Sequence, residues 1–242
     1  MTTKAIILGA GMGKRMGADL PKVLHTICGK PMINILLDSV KETGIEDITV
    51  VIGPNMDNVK EAVAPLKTVT QVERLGTAHA VLAAESEIQP FDGNVLILFG
   101  DQPLFLPETL KRMIQKCKEG TDIAILGFIP EDPRRYGRLI MGENGLDAIV
   151  EYKDATDAQR AIKLCNSGVM CVNGKYLLSL LKEIDNQNAA GEYYLTDIVS
   201  KAKAKGLKRD VVIGDAAELH GVNTPEELEL AEEIYKKRMN QC

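Results

Sequence analysis

An apolar stretch over residues 4–8 runs straight into Gly9-Ala10-Gly11-Met12-Gly13-Lys14-Arg15-Met16, with Leu20-Pro21-Lys22 close behind. This pairing of a short buried strand with a glycine-rich turn constrains the fold more than any other feature of the chain. Open α/β sheets gather their ligands at the carboxyl ends of strands, where these glycines lie. Three glycines in five residues let backbone N–H groups approach a ligand closely and permit positive φ. Arg15 can fork two bonds onto phosphate oxygens, while Lys22 is a mobile point charge. Backbone donors beside fixed cations are what a triphosphate needs. Taken alone, the same residues would also make a tight turn with solvated charges.

Residue types exclude two other glycine-rich loops. The dinucleotide fingerprint G-x-G-x-x-G needs a third glycine where Met16 stands. Its ribose-binding acid is also missing, because the second strand ends in Val51-Ile52-Gly53-Pro54. The ATPase-type phosphate loop needs Ser or Thr after Gly-Lys to hold Mg²⁺, and Gly13-Lys14 is followed by Arg15.

Beyond the loop, strand-like and helical periods alternate. Ile33, Leu36, Leu37 and Val40 fall at i, i+3, i+4 and i+7 and predict a helix over residues 31–43, stopped by Gly44. Residues 48–52 are solidly apolar, as in a parallel sheet. A short helix over 57–64 and a strand near 68–72 follow, then a helix N-capped by Thr77 and running to about residue 88. Residues 94–99 read as another buried strand. Residues 107–119 read as a helix with Leu110, Met113, Ile114 and Cys117 inward, and 122–127 as a strand. This alternation predicts an α/β, Rossmann-like fold: an open mixed, mostly parallel sheet flanked by helices. The later segments 136–140, 149–156 and 165–169 are expected on further strands of the same sheet. Leu177, Leu180, Leu181 and Ile184 mark a helix, and residues 191–197 open another that ends near Gly206. Thr224 as N-cap, Pro225 at N1 and Glu227 at N3 predict a capping box for a last helix.

Composition narrows the function. A formal net charge of -5 over 242 residues argues against a nucleic-acid partner, so the basic residues of the first loop are a local feature. No apolar run reaches the ~20 residues that span a bilayer, and the N-terminus has no signal-peptide core. The five cysteines, Cys28, Cys117, Cys165, Cys171 and Cys242, are scattered without metal-ligand spacing. They read as reduced thiols of a cytoplasmic protein, mostly filling core. The three histidines lack triad partners and ligand spacing and read as structural.

Two further stretches carry chemistry. In Gln71-Val72-Glu73-Arg74-Leu75-Gly76-Thr77, the Gln71 amide offers both a donor and an acceptor to a base edge. In Gly100-Asp101-Gln102-Pro103-Leu104, Asp101 lies just past the carboxyl end of a central strand. Its carboxylate suits Mg²⁺, which takes a few hard oxygens plus substrate phosphates. Asn223, just before the last helix, offers an amide oxygen as a second ligand.

The loop Leu8–Met16 with Leu20-Pro21-Lys22 resembles the signature loop of sugar-phosphate nucleotidyltransferases. Gly9 and Lys14 depart from the alanine and threonine usual there. Val150-Glu151-Tyr152-Lys153-Asp154-Ala155-Thr156 and Gly191-Glu192-Tyr193-Tyr194-Leu195-Thr196-Asp197 are more specific. They resemble the branch of N-acetylglucosamine-1-phosphate uridyltransferases, over nearly the whole chain. The resemblance implies UTP and a sugar 1-phosphate as substrates and Mg²⁺ as cofactor, with in-line attack on the α-phosphate. It implies Arg15, Lys22 and Asp101 as catalytic groups. It further implies Leu8, Ala10, Gly11, Gly13, Gln71, Gly76 and Thr77 at the nucleotide and Gly137, Glu151, Asn166 and Thr196 at the sugar. Asp101 and Asn223 would hold the metal. Arg74 stands where a glutamine is expected, and Phe99 where a tyrosine is common.

The implied organisation is a single domain, with a nucleotide-binding half to about residue 128, a sugar-binding half over 129–224 and a C-terminal helix over 225–242. Bacterial members of this branch usually continue into a left-handed β-helix of hexapeptide repeats that acetylates glucosamine 1-phosphate. No such period occurs in these 242 residues, in keeping with a naturally single-domain protein or a shortened one. Another sugar phosphate or base, or a non-catalytic nucleotide-sugar binder on the same fold, is the alternative, and the oligomeric state stays open.

Overall fold

A computed structural model describes residues 2–17, 20–89, 91–133 and 135–240; Cys242 lies outside them. The first half alternates strands and helices: β1 (Thr2–Leu8), a small ladder of β2 (Thr26–Ile27) and β3 (Lys30–Pro31), α1 (Met32–Lys41), β4 (Ile48–Ile52), α2 (Asp57–Ala62), β5 (Lys67–Thr70), α3 (Thr77–Leu82), α4 (Glu85–Ile88), β6 (Gly93–Phe99), α5 (Pro107–Lys118) and β7 (Ile123–Phe128). The second half adds β8 (Arg138–Gly142), β9 (Gly145–Val150), α6 (Asp157–Arg160), β10 (Cys165–Asn173), α7 (Gly174–Leu181), α8 (Ile198–Ala204), β11 (Arg209–Ile213) and α9 (Pro225–Met239).

The main sheet runs β11-β7-β10-β6-β1-β4-β5, with β8 and β9 branching from β10. β6, β1, β4 and β5 are mutually parallel, and β7 is parallel to β11. β10 runs against both β6 and β7. The sheet is therefore mixed and mostly parallel, as the alternating pattern predicts. Solid apolar runs become central strands because both faces of the sheet are covered. Ala5 and Ile7 point into a core with α1 and α5, while Ile6 and Leu8 point into one with α3, α7 and α8. All four are at most 9% exposed, and each buried isoleucine or leucine contributes about 1.5–3 kcal/mol. A third, smaller core of Met16, Ile27, Met32, Leu104, Val222 and Ala231 packs α9 under the glycine-rich loop.

Four local expectations are corrected. Thr77 does not cap α3; its hydroxyl accepts the N–H of Leu195 at 2.9 Å, and Gly76, at φ 126, takes the position before the helix. The helix expected to reach residue 88 divides into α3 and α4 around Ala83 and the fully buried Ala84. Residues 151–156 leave the sheet after β9, and Thr156 forms a reciprocal capping box with Gln159 at the start of α6. At α9 only half of the predicted box forms. Thr224 accepts the Glu227 N–H at 3.3 Å, but the Glu227 carboxylate turns back to the N–H of Asn223 at 2.7 Å.

Candidate functional site

The register of the central strands builds the site. Leu8 of β1 pairs with Phe99 of β6, so the glycine-rich loop and the Gly100-Asp101 turn leave the sheet side by side. The Gly100 N–H donates to the Leu8 carbonyl at 2.9 Å, and the Gly9 N–H donates to Val51 at 2.7 Å. A cleft of about 290 Å³ opens above these strand ends. Its walls include eight residues expected from the sequence: Leu8, Ala10, Gly11, Lys22, Gln71, Gly76, Thr77 and Asp101. Arg15 and Asn223 line the adjoining cavity of about 890 Å³. Gly13 lines neither, and lies under Lys22.

The glycines serve different ends. Gly13 is left-handed, at φ +63, and an added Cβ would stand 2.9 Å from Cβ of Lys22, so only glycine lets the lysine pack there. At Gly11 an added Cβ would meet nothing within 4 Å. That position lacks a side chain although no neighbour demands it, which leaves the space of the cleft open.

The charged groups converge on one point. Lys22 is 9% exposed, and its ammonium pairs with the Asp101 carboxylate and donates to Oδ1 of Asn223 at 2.7 Å. Arg15 donates to the same Asn223 oxygen at 3.1 Å. Asp101 and Asn223 lie 79 and 201 positions from Lys22 along the chain. One backbone contact brings them together, the Val222 N–H donating to the Asp101 carbonyl at 2.9 Å, and the Glu227 carboxylate accepts the Asn223 N–H locally. The pair offers one carboxylate and one amide oxygen to a shared cation, a hard-oxygen donor set that suits Mg²⁺. No group of three or more His, Cys, Asp or Glu with metal-site geometry occurs among the described residues.

The segment from Gln71 to Thr77 is held from three sides. Gln71 is buried and donates Nε2 to the Gly76 carbonyl at 3.2 Å, 3.4 Å from Nδ1 of His79. His79 therefore touches a candidate site residue, which its isolation in the sequence gave no reason to expect. Arg74 donates Nε to the Ala10 carbonyl at 3.1 Å and ties this segment to the glycine-rich loop. Tyr193 donates its N–H to Leu75 at 2.8 Å and accepts the Ala78 N–H at 2.9 Å. An added Cβ at Gly76 would stand 2.5 Å from the Tyr193 carbonyl, so packing alone requires that glycine.

The four residues expected at the sugar also assemble. The Asn166 N–H donates to the Gly137 carbonyl at 2.8 Å. Gly137 faces Glu151, with 3.4 Å between its would-be Cβ and a Glu151 oxygen. Thr196 donates to the Glu151 carboxylate at 3.2 Å. Burial pushes the Glu151 carboxyl above its ordinary value and nearby Asp154 and Asp197 add to the rise, against the Thr196 hydrogen bond. Burial raises Asp197 as well. Val23, Ala80 and Glu192 join the cleft walls without a sequence signal of their own. Glu192 lies inside the 191–197 heptad, and its position there was the available clue.

Comparison with known proteins now decides the family. Residues 5–168 match the family model of the MobA-like NTP transferase domain. The chain belongs to this family. As a MobA-like NTP transferase it is similar, at 53% identity over 241 residues, to the bifunctional protein GlmU of Rhodospirillum rubrum, covering 99% of this chain and 54% of that protein. The GlmU proteins of Paramagnetospirillum magneticum and Roseobacter denitrificans are 50% and 46% identical over 98% of the chain. The chain spans about half the length of the curated relatives it matches. No helix among the described residues of this NTP transferase is long and apolar enough to cross a membrane.

Proposed function

We propose that this chain catalyses uridylyl transfer from UTP to N-acetylglucosamine 1-phosphate, forming UDP-N-acetylglucosamine and pyrophosphate. The observation that carries the proposal is the meeting of Asp101, Asn223 and Arg15 around the Lys22 ammonium beside the glycine-lined cleft. In this reading a phosphate oxygen of the sugar phosphate attacks the α-phosphorus of UTP. The bond to the bridging oxygen of the β-phosphate breaks, and pyrophosphate leaves with the electron pair. The attacking phosphate is already ionised, so no side chain has to remove a proton. The protein positions the two substrates and neutralises charge.

The Gly11 backbone N–H, with Arg15, holds the β- and γ-phosphates, Gly13 serves by letting Lys22 pack beside them, and Leu8 and Ala10 line the nucleoside. Lys22 offsets charge developing on the α-phosphate. Gln71, Gly76 and Thr77 face the base. Asp101 and Asn223 would hold Mg²⁺, which when bound supplies further positive charge to the phosphate oxygens. Gly137, Glu151, Asn166 and Thr196 form the sugar side. The halves are residues up to about 128 for the nucleotide and about 129–224 for the sugar, followed by the helix Pro225–Met239. A cytoplasmic location is part of the proposal, since Cys28, Cys117, Cys165 and Cys171 form no disulfide among the described residues.

The sugar preference follows from unpaired groups. A pocket shaped for an acetamido group leaves polar partners unsatisfied when a bare hydroxyl replaces it, at roughly 1–3 kcal/mol each. Pyrophosphate release measured over a panel of nucleotides and sugar phosphates tests the whole reading. Release should require UTP, and N-acetylglucosamine 1-phosphate should exceed glucose 1-phosphate by about tenfold or more in kcat/KM. Absence of release with every pair would refute the proposed activity, and equal values for the two sugars would refute the sugar assignment.

A further inference from the structure

The phosphate side and the sugar side meet at a wall that neither the loop nor the sugar residues account for. The cavity of about 890 Å³ that contains Arg15 and Asn223 shares Arg135, Tyr152 and Arg160 with a second cavity of about 500 Å³ that contains Glu151. Four arginines and two carboxylates, Asp132 and Glu227, line the larger one, so its wall is net positive on a chain of net charge -5. A concave positive site on a negative protein focuses anions.

The four guanidiniums are not equally available. Arg138 is 2% exposed and donates to the carbonyls of Tyr136 and Arg160. Arg160 donates to the Tyr152 carbonyl, pairs with Asp157 at 3.2 Å and lies over the Tyr152 ring at 4.8 Å. Arg15 bonds Asn223. Arg135 is exposed, and among the described residues its guanidinium has neither a hydrogen-bond nor an ion-pair partner. The one uncommitted arginine of the wall thus stands where the two cavities join.

We propose that Arg135 binds a phosphoryl group of the substrates at the junction of the nucleotide and sugar sides. This rests on the proposed function for its choice of ligand. Two anions present the same chemistry there: the phosphate of the sugar 1-phosphate and the departing pyrophosphate. A planar guanidinium suits either, since it gives two parallel hydrogen bonds to phosphate oxygens.

Isothermal titration of the intact chain with N-acetylglucosamine 1-phosphate and, separately, with inorganic pyrophosphate tests the proposal without turnover. Arg135→Ala should weaken one of the two by about tenfold or more, and which one identifies the group bound. Arg135→Glu should weaken the same ligand further, because it reverses the charge. Thermal midpoints should stay within about 2 °C of the unaltered chain, as expected for an exposed side chain. Dissociation constants within twofold for both ligands, or a Glu variant no weaker than the Ala variant, would overturn the proposal. Lack of uridylyl transfer by the unaltered chain would instead refute the activity and leave this binding test intact.

Discussion

Alanine at Gly11 and alanine at Gly13 should fail in opposite ways. At Gly13 the left-handed φ of +63 costs an L-residue about 1–2 kcal/mol. The new Cβ would also stand 2.9 Å from Cβ and 3.2 Å from Cα of Lys22, a clash against backbone-proximal atoms that adds on the order of 1 kcal/mol. The sum is about 2–3 kcal/mol, which lowers Tm by roughly 4–12 °C for a chain of this size. Gly11 has no positive φ and no neighbour within 4 Å of an added Cβ. Gly11→Ala should therefore leave Tm unchanged or raise it, since alanine restricts the unfolded chain by about 0.4–1 kcal/mol. Its methyl group would instead enter the cleft. Overpacking of about 1–3 kcal/mol against a bound nucleotide gives a roughly 5- to 140-fold loss of UTP affinity. Differential scanning calorimetry and UTP titration of the two variants provide the test. Unchanged UTP affinity for Gly11→Ala would refute the claim that the nucleotide fills this space. Unchanged Tm for Gly13→Ala would refute the packing argument.

Asp101→Ala should reduce turnover on the order of 10²-fold or more while the fold survives; near-normal turnover at saturating Mg²⁺ would sink the metal assignment. Lys22→Ala should lower kcat with little change in UTP affinity if its charge acts mainly in the transition state, and a pure KM effect would make it a binding residue only. Glu151 carries a pH signature. Its carboxyl is raised above the ordinary value of 4.5, mainly by burial. The folded chain therefore holds a proton that the unfolded chain has lost, over the range from about 4.5 up to the raised value. The stability from this group is present below that range and is lost as pH rises through it. Glu151→Gln should flatten that part of the Tm profile, and a profile identical to that of the unaltered chain would count against the assignment.

The sheet was legible because parallel strands covered on both faces are mostly apolar, as β4, β6 and β7 are apart from the buried Thr49 and Asn94. The glycine-rich loop and Asp101 were legible because both sit immediately after such strands. The details that set geometry were not, because they depend on partners far along the chain. The Thr77 hydroxyl answers to Leu195, 118 positions away, and so local capping rules misassigned it. Glu227 obeyed its local rule only in part, because the N–H of Asn223 lay within its reach. Arg135 and Arg160 line one cavity from positions that carry no motif, and Gln71 meets His79 only because α3 starts with a turn at Gly76.

The clasp of Tyr193 on both sides of Gly76 has a thermodynamic consequence. One short segment, residues 191–197, supplies Thr196 to the proposed sugar side and grips Leu75, Thr77 and Ala78 on the proposed nucleotide side through three backbone-involving hydrogen bonds. A ligand that orders this segment from either side removes part of the ordering cost for the other. If the two proposed substrates share this wall, linkage requires that the factor by which each tightens the other be the same. For the proposed reaction this favours a ternary complex over either half-filled state, so that both substrates are in place before the phosphoryl group moves.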